Sequence, residues 1–203
     1  GSPLIALTGS NGKTTTVSLI HSMMQAANKK SVLCGNVGTP VIADLAPEIL
    51  ASSETFDNSA QVVEASSYQL ESCSVIKPKV AMLLNISDNH LERHGTLERY
   101  TACKAKMFAN QDSNDFAVLN FDDERVSALA PKLKAKVLGF SVDEKRLKNK
   151  DGAWIRYNPA GGQDSIRISL GAQVEEYELS AAKLLGLHNR FNFAAAILAC
   201  RAF

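Results

Sequence analysis

The sequence predicts an α/β fold: a mostly parallel sheet flanked by helices, with a small antiparallel side sheet toward its end. Three observations predict it. Up to Phe140, short apolar runs bounded by turn residues alternate with segments of helical period, the pattern of βα units. A glycine-rich turn carrying a lysine stands between the first such run and the first helical segment. After Phe140 the texture changes to short β-rich runs separated by glycine turns, as in an antiparallel meander.

Taken in order, the strands are expected at residues 4–8, 31–34, 61–64, 80–84, 116–120 and 136–140, each short and apolar with turn residues around it. Helices are expected between them, over 14–27, 40–51, 96–110 and 123–133. Thr96, after Gly95, supplies an N-cap for the third, while Pro47 interrupts the second. Runs at 154–158, 165–170 and 174–179 form the meander, which holds no recognisable chemistry. An alanine-rich segment, 189–203, reads as a last helix that stops without a C-cap signal. The expectation is therefore one domain over residues 3–203, excised from a longer protein. Residues 1–2, Gly1-Ser2, read as a cloning remnant.

Composition bounds the function. A chain of 203 residues is about one to one and a half domains and can bury a core without staples. An apolar share of 45% and a charged share of 21% are those of a soluble globular protein, which excludes disorder. Twenty-two basic against 21 acidic residues leave +1, too little for a nucleic-acid or membrane-surface footprint. No apolar stretch approaches the ~20 residues of a spanning helix. Small-molecule partners are expected, with no nucleic acid and no membrane. Cys34, Cys73, Cys103 and Cys200 are scattered, without CxxC or zinc spacing, so free thiols in a reducing cytoplasm are expected.

The strongest motif runs from Leu4 through Gly9-Ser10-Asn11-Gly12-Lys13-Thr14-Thr15: buried strand, glycine turn, lysine, hydroxyls, helix. Such a turn points successive N–H groups at phosphate oxygens, and the helix adds its positive N-terminal end. Lys13 would neutralise phosphate charge and the Thr14 hydroxyl would reach magnesium. The fold becomes a P-loop-containing one. Glu64, at the end of its strand, is placed where parallel sheets gather ligands and would complete the metal site. The common pattern has a glycine where this chain has Leu7, so a plain glycine-rich turn with a solvated lysine stays open. Taken alone, Lys104 reads as a surface lysine and Asn189 and Asn192 as helix caps. His90 and His94 are four apart, but lack a third zinc ligand and the HExxH arrangement.

Further blocks give the pattern a family. They are Cys34-Gly35-Asn36-Val37-Gly38-Thr39-Pro40, Val63-Glu64-Ala65-Ser66-Ser67-Tyr68-Gln69-Leu70-Glu71, Leu84 through Asn89-His90 to Gly95, Tyr100 through Lys104 to Lys106, and Leu187-His188-Asn189-Arg190-Phe191-Asn192. With the shortened loop, the chain from Pro3 onward resembles the Mur ligases, ATP-dependent enzymes that build the peptide stem of bacterial cell-wall precursors. The Leu7 departure belongs to that resemblance, and the blocks are closest to the member that adds D-glutamate.

The resemblance implies ATP-driven ligation of D-glutamate to UDP-N-acetylmuramoyl-L-alanine through an acyl phosphate, in peptidoglycan synthesis, by a cytoplasmic monomer. It implies that this chain is the central ATP-binding domain, cut from an N-terminal uridine-nucleotide domain and a C-terminal domain and inactive alone. Two magnesium ions are implied, with Thr14, Glu64, His90 and Lys104 as metal ligands. Lys104 would serve as a carbamate formed with carbon dioxide. Catalytic roles fall to Lys13, His90 and Lys104. Gly9, Ser10, Asn11, Gly12, Lys13, Thr14 and Thr15, with Asn189 and Asn192, would hold the nucleotide, and Asn36, Ser66, Gln69 and His90 the muramyl substrate. Asn89 stands where the family commonly has Asp, with Asp88 beside it. Alternatives are another amide ligase of the superfamily, such as folylpolyglutamate synthase, or a P-loop kinase or nucleotide-binding module. Lys104 and His90 argue against the kinase; Asn89 favours the module.

Overall fold

The computed structural model describes residues 3–36, 60–88, 91–148, 151–160 and 163–203. Among the described residues nine strands form one sheet: β1 (Leu4–Thr8), β2 (Ser31–Gly35), β3 (Ala60–Glu64), β4 (Val80–Leu83), β5 (Phe116–Asn120), β6 (Lys136–Ser141), β7 (Gly152–Arg156), β8 (Ser165–Leu170) and β9 (Gln173–Glu178). Their order is β2-β3-β1-β4-β5-β6-β7-β8-β9. Strands β2 to β7 pair in parallel with their neighbours, and only β7–β8 and β8–β9 are antiparallel. From β1 the chain crosses to β2, returns to β3 beside β1, and then takes β1's other side with β4. The carboxyl ends of β1, β3 and β4 are thereby neighbours, with Leu7 opposite Glu64 and Thr8 opposite Leu83. Parallel sheets collect ligands at such a reversal.

The helices are α1 (Lys13–Ala26), α2 (Ser67–Ser72), α3 (Leu91–His94), α4 (Leu97–Ala105), α5 (Glu124–Ser127), α6 (Glu144–Leu147) and α7 (Leu187–Ala202). Alternation along β1 feeds two cores. Ile5 and Leu7 join Val17 and Ile20 of α1 and the alanines of α7 on one face. Ala6 joins Leu70, Tyr100 and Met107 on the other. The run Ala194–Ala195–Ala196 is fully buried, so small side chains let α7 lie close to the sheet and to α1.

The structure departs from the sequence expectation at several points. The antiparallel strands are present, but they extend the main sheet instead of standing beside it. Gly139 pairs with Gly152, where a β-carbon on Gly152 would run into the Gly139 carbonyl, so a glycine there lets β7 join β6. The helix expected over 123–133 breaks into α5 and a 3-10 turn at Ala130–Lys132, because Pro131 has no N–H to continue it. The helix expected over 96–110 likewise tightens into a 3-10 turn at Lys106–Phe108. The helix expected over 40–51, the residues of the Val37–Pro40 block, Asn89, His90 and Gly1-Ser2 lie outside the described residues.

Candidate active site

Strand β1 ends at Thr8, and the backbone turns through Gly12 (φ 81°) into α1. That left-handed conformation suits glycine. No side chain caps α1, so its first N–H groups stay available to an anion. Lys13 folds back and donates from Nζ to the Ser10 carbonyl at 3.0 Å. Thr15 follows, half-buried on α1.

Thr14 and Glu64 meet although fifty positions separate them. The Thr14 hydroxyl donates to Glu64 Oε2 at 2.9 Å, and Asn36 Nδ2 donates to Glu64 Oε1 at 3.1 Å. Glu64 is 1% exposed, and among the described residues it forms no ion pair. A buried carboxylate whose hydrogen bonds come from a neutral hydroxyl and a neutral amide is a hard-oxygen donor set that fits magnesium.

The loop is also held from its far side. Leu84 N–H donates to the Thr8 carbonyl at 3.1 Å and Ser10 N–H to the Asn85 carbonyl at 3.0 Å. Asn11 N–H donates to Asn85 Oδ1 at 2.8 Å, Asn85 Nδ2 returns a bond to the Asn11 carbonyl at 3.1 Å, and Ser87 N–H donates to Ser10 Oγ at 2.9 Å. Lys104 comes from α4 and is 1% exposed. Its Nζ donates to Thr8 Oγ1 and to the Gly9 carbonyl, both at 3.0 Å, and sits 4.7 Å from the Tyr100 ring centroid. Burial, and then the charge of Lys13, push its amine down to about 8.

Asn192 lies against Gly12, its Oδ1 2.4 Å from where a β-carbon there would stand, and its Nδ2 donates to Asn189 Oδ1 at 3.2 Å. Asn189 Nδ2 donates in turn to the Leu185 carbonyl at 2.7 Å. The helix register is fixed by Arg190, whose Nε meets Asp164 Oδ2 at 2.6 Å with both side chains buried. Burial alone would raise the Asp164 carboxyl; the Asn158 amide and the Arg190 guanidinium overcome it and hold the acid below its ordinary value.

Ser66 and Gln69 form a capping box at the start of α2, each side chain bonding the other's backbone N–H. His94 is buried, with Nε2 3.1 Å from Ser67 Oγ. Among the described residues no group of three or more His, Cys, Asp or Glu could hold a metal ion. The structure thus brings Asn36, Glu64, Lys104, Asn189 and Asn192 together around the Gly9–Thr15 loop. Sequence reasoning missed Asn85 and Ser87 as loop partners; they lay inside a quoted block, but nothing local marks a bond 74 to 77 positions away.

Comparison with known proteins agrees with this fold. Residues 7–200 match the family model of the Mur ligase middle domain. The chain is 41% identical over 202 residues to the UDP-N-acetylmuramoylalanine–D-glutamate ligase of Pelotomaculum thermopropionicum, covering 99% of this chain and 41% of that protein. It is 41% identical over 193 residues to the enzyme of the same name from Clostridioides difficile, covering 95% and 39%. The chain thus spans about two-fifths of the length of these curated relatives. Among solved structures, a UDP-N-acetylmuramoyl-L-alanyl-D-glutamate–2,6-diaminopimelate ligase superposes with a TM-score of 0.71 at 26% identity, over 98% of this chain and 43% of that one. The MurF ligase of Thermotoga maritima in complex with ADP superposes at 0.70 and 22%, over 99% and 45%; at that identity it shows the fold alone.

Proposed function

The chain belongs to the Mur ligase family through its middle domain, and on that premise we propose that it is the ATP-binding part of a ligase joining D-glutamate to UDP-N-acetylmuramoyl-L-alanine. The observation that carries the nucleotide reading is the Thr14–Glu64 pair at the mouth of the phosphate loop. The relatives' names carry the choice of amino acid.

In the ligation, a carboxylate oxygen of the muramyl-alanine attacks the γ-phosphorus of ATP and ADP leaves. The D-glutamate amine then attacks the acyl phosphate carbon, inorganic phosphate leaves and the amine gives up its proton. Two anions must meet in the first step, so charge neutralisation and alignment carry most of the catalysis. The loop N–H groups and the α1 terminus would cradle the phosphates. Lys13 would exchange the Ser10 carbonyl for phosphate oxygens. Thr14 and Glu64 would hold a magnesium ion, whose chemistry is to offset phosphate charge. A second ion would fall to His90 and to Lys104 as a carbamate. Burial of Lys104 supports that modification, because only the neutral amine adds to carbon dioxide, forming the N–C bond and releasing a proton. Asn189 and Asn192 would meet the adenine side of the nucleotide, and Asn36, Ser66 and Gln69 the muramyl substrate.

A cytoplasmic setting fits such substrates. Cys73, Cys103 and Cys200 are free thiols, and among the described residues no helix is long and apolar enough to cross a membrane. The test is a substrate panel with the full-length protein, ATP and magnesium. Phosphate release should require both UDP-N-acetylmuramoyl-L-alanine and D-glutamate. Release with a folate and L-glutamate instead would move the protein to a sibling activity.

A further inference from the structure

The segment that holds the phosphate loop is itself gripped from behind. Leu84–Ser87 leaves β4 without regular secondary structure, yet five of its backbone and side-chain groups set the path of Thr8–Asn11. Its alternate residues also face the end of β5 and the turn after it. Asn120 Nδ2 donates to the Leu84 carbonyl at 3.0 Å, and Asp123 Oδ2 accepts the Ile86 N–H at 2.7 Å. Asn120 is buried, and a short bond to a carboxylate is among the stronger hydrogen bonds. The turn is fastened further. Asn120 Oδ1 accepts from Asp122 N–H at 2.9 Å, and the Asp122 carboxylate accepts from Ser141 Oγ at 2.6 Å and Val142 N–H at 2.8 Å. The ends of β4, β5 and β6 are therefore pinned to one another by Asn120, Asp122 and Asp123.

We propose that Asn120 and Asp123 are positioning residues for the nucleotide: by fixing Leu84 and Ile86 they set where Asn85 and Ser87 hold the phosphate loop. Neither belongs to the loop or the metal site. The proposal rests on the nucleotide reading above and extends it to residues behind the site. Exchanging one of these bonds for a mobile segment leaves the loop to be ordered by the ligand, which weakens binding without removing a contact to it.

Asp123 also caps α5, its Oδ1 accepting from Arg125 and Val126 N–H, so its two roles must be separated. Asp123→Ser does so, because serine caps a helix as well as aspartate but is too short to reach Ile86. In the full-length protein this variant should bind ADP with magnesium about tenfold more weakly. Amide exchange over residues 84–88 should accelerate in the ADP-free protein, while affinity for UDP-N-acetylmuramoyl-L-alanine stays unchanged. Asn120→Asp, which keeps the shape but loses the donor to Leu84, should reproduce both effects at pH 8 and covers the case that Asp123→Ser fails to fold. Asp143→Ser is the control, since Asp143 caps α6 but does not touch the segment. ADP affinity and exchange unchanged in Asp123→Ser and Asn120→Asp would overturn the proposal, as would an equal loss in Asp143→Ser. Failure of the unaltered protein to bind ADP would instead overturn the nucleotide reading itself.

Discussion

Asn192 Oδ1 occupies the space that a β-carbon on Gly12 would need. Helix α7 and the phosphate loop are thus fitted to each other across 180 positions of sequence, with Gly12 at φ 81° and Asn192 buried. Gly12→Ala meets two obstacles at once, a steric one and a backbone one. ADP affinity of the full-length protein should fall about a hundredfold or more while its circular dichroism is kept. Shortening the neighbour in Gly12→Ala/Asn192→Ala should restore only part, since the positive φ remains. Titration calorimetry reads both.

Among the described residues the Lys13 side chain makes one hydrogen bond, to the Ser10 carbonyl, so the fold should survive its loss. Lys13→Ala is expected to lower kcat by about two orders of magnitude or more with little change in melting temperature. Turnover near the unaltered level would return Lys13 to a solvated side chain.

The Lys104 amine should show its depressed pKa as a pH-dependent modification. Below about 8 it is mainly ammonium, which does not react; above 8 it is mainly neutral. At fixed dissolved carbon dioxide, carbamate should therefore rise steeply from pH 6.5 to 8 and more gently beyond. A ¹³C carbamate resonance in bicarbonate-labelled protein, absent in Lys104→Met, would measure it. Lys104→Ala should be nearly inactive and partly rescued by acetate or formate, with chloride at matched ionic strength inert. Equal rescue by chloride would exclude metal ligation.

Arg190 and Asp164 are buried together, so removing either strands the other. Arg190→Met should cost about 3 to 5 kcal/mol in urea denaturation, and Arg190→Met with Asp164→Asn clearly less than the sum of the two. Additive losses would show that the pair is not coupled.

Much of this was legible in the sequence, for physical reasons. Strand runs, the phosphate loop and Glu64 at its strand end are local patterns, and parallel topology follows from alternating βα segments. What escaped were bonds between distant segments: the grip of Asn120 and Asp123 on Leu84 and Ile86, and the Arg190–Asp164 pair. Helix α2 escaped because six residues are too few for a period to show, although its Ser66–Gln69 box was a usable signal. The meander's attachment to β6 escaped because pairing of Gly139 with Gly152 is a property of register, not of composition.

The central claim is that Thr14 and Glu64 hold a magnesium ion against the nucleotide bound in the Gly9–Thr15 loop. Its most direct test is the affinity of the full-length protein for ATP across a magnesium titration, for the unaltered chain and for Glu64→Gln. Glutamine keeps the shape of the side chain but removes its charge and turns one of its two acceptor oxygens into a donor. Glu64→Gln should need about tenfold or more magnesium to reach half-maximal ATP binding, and high magnesium should recover part of the affinity. Superimposable magnesium curves for the two proteins would contradict the claim.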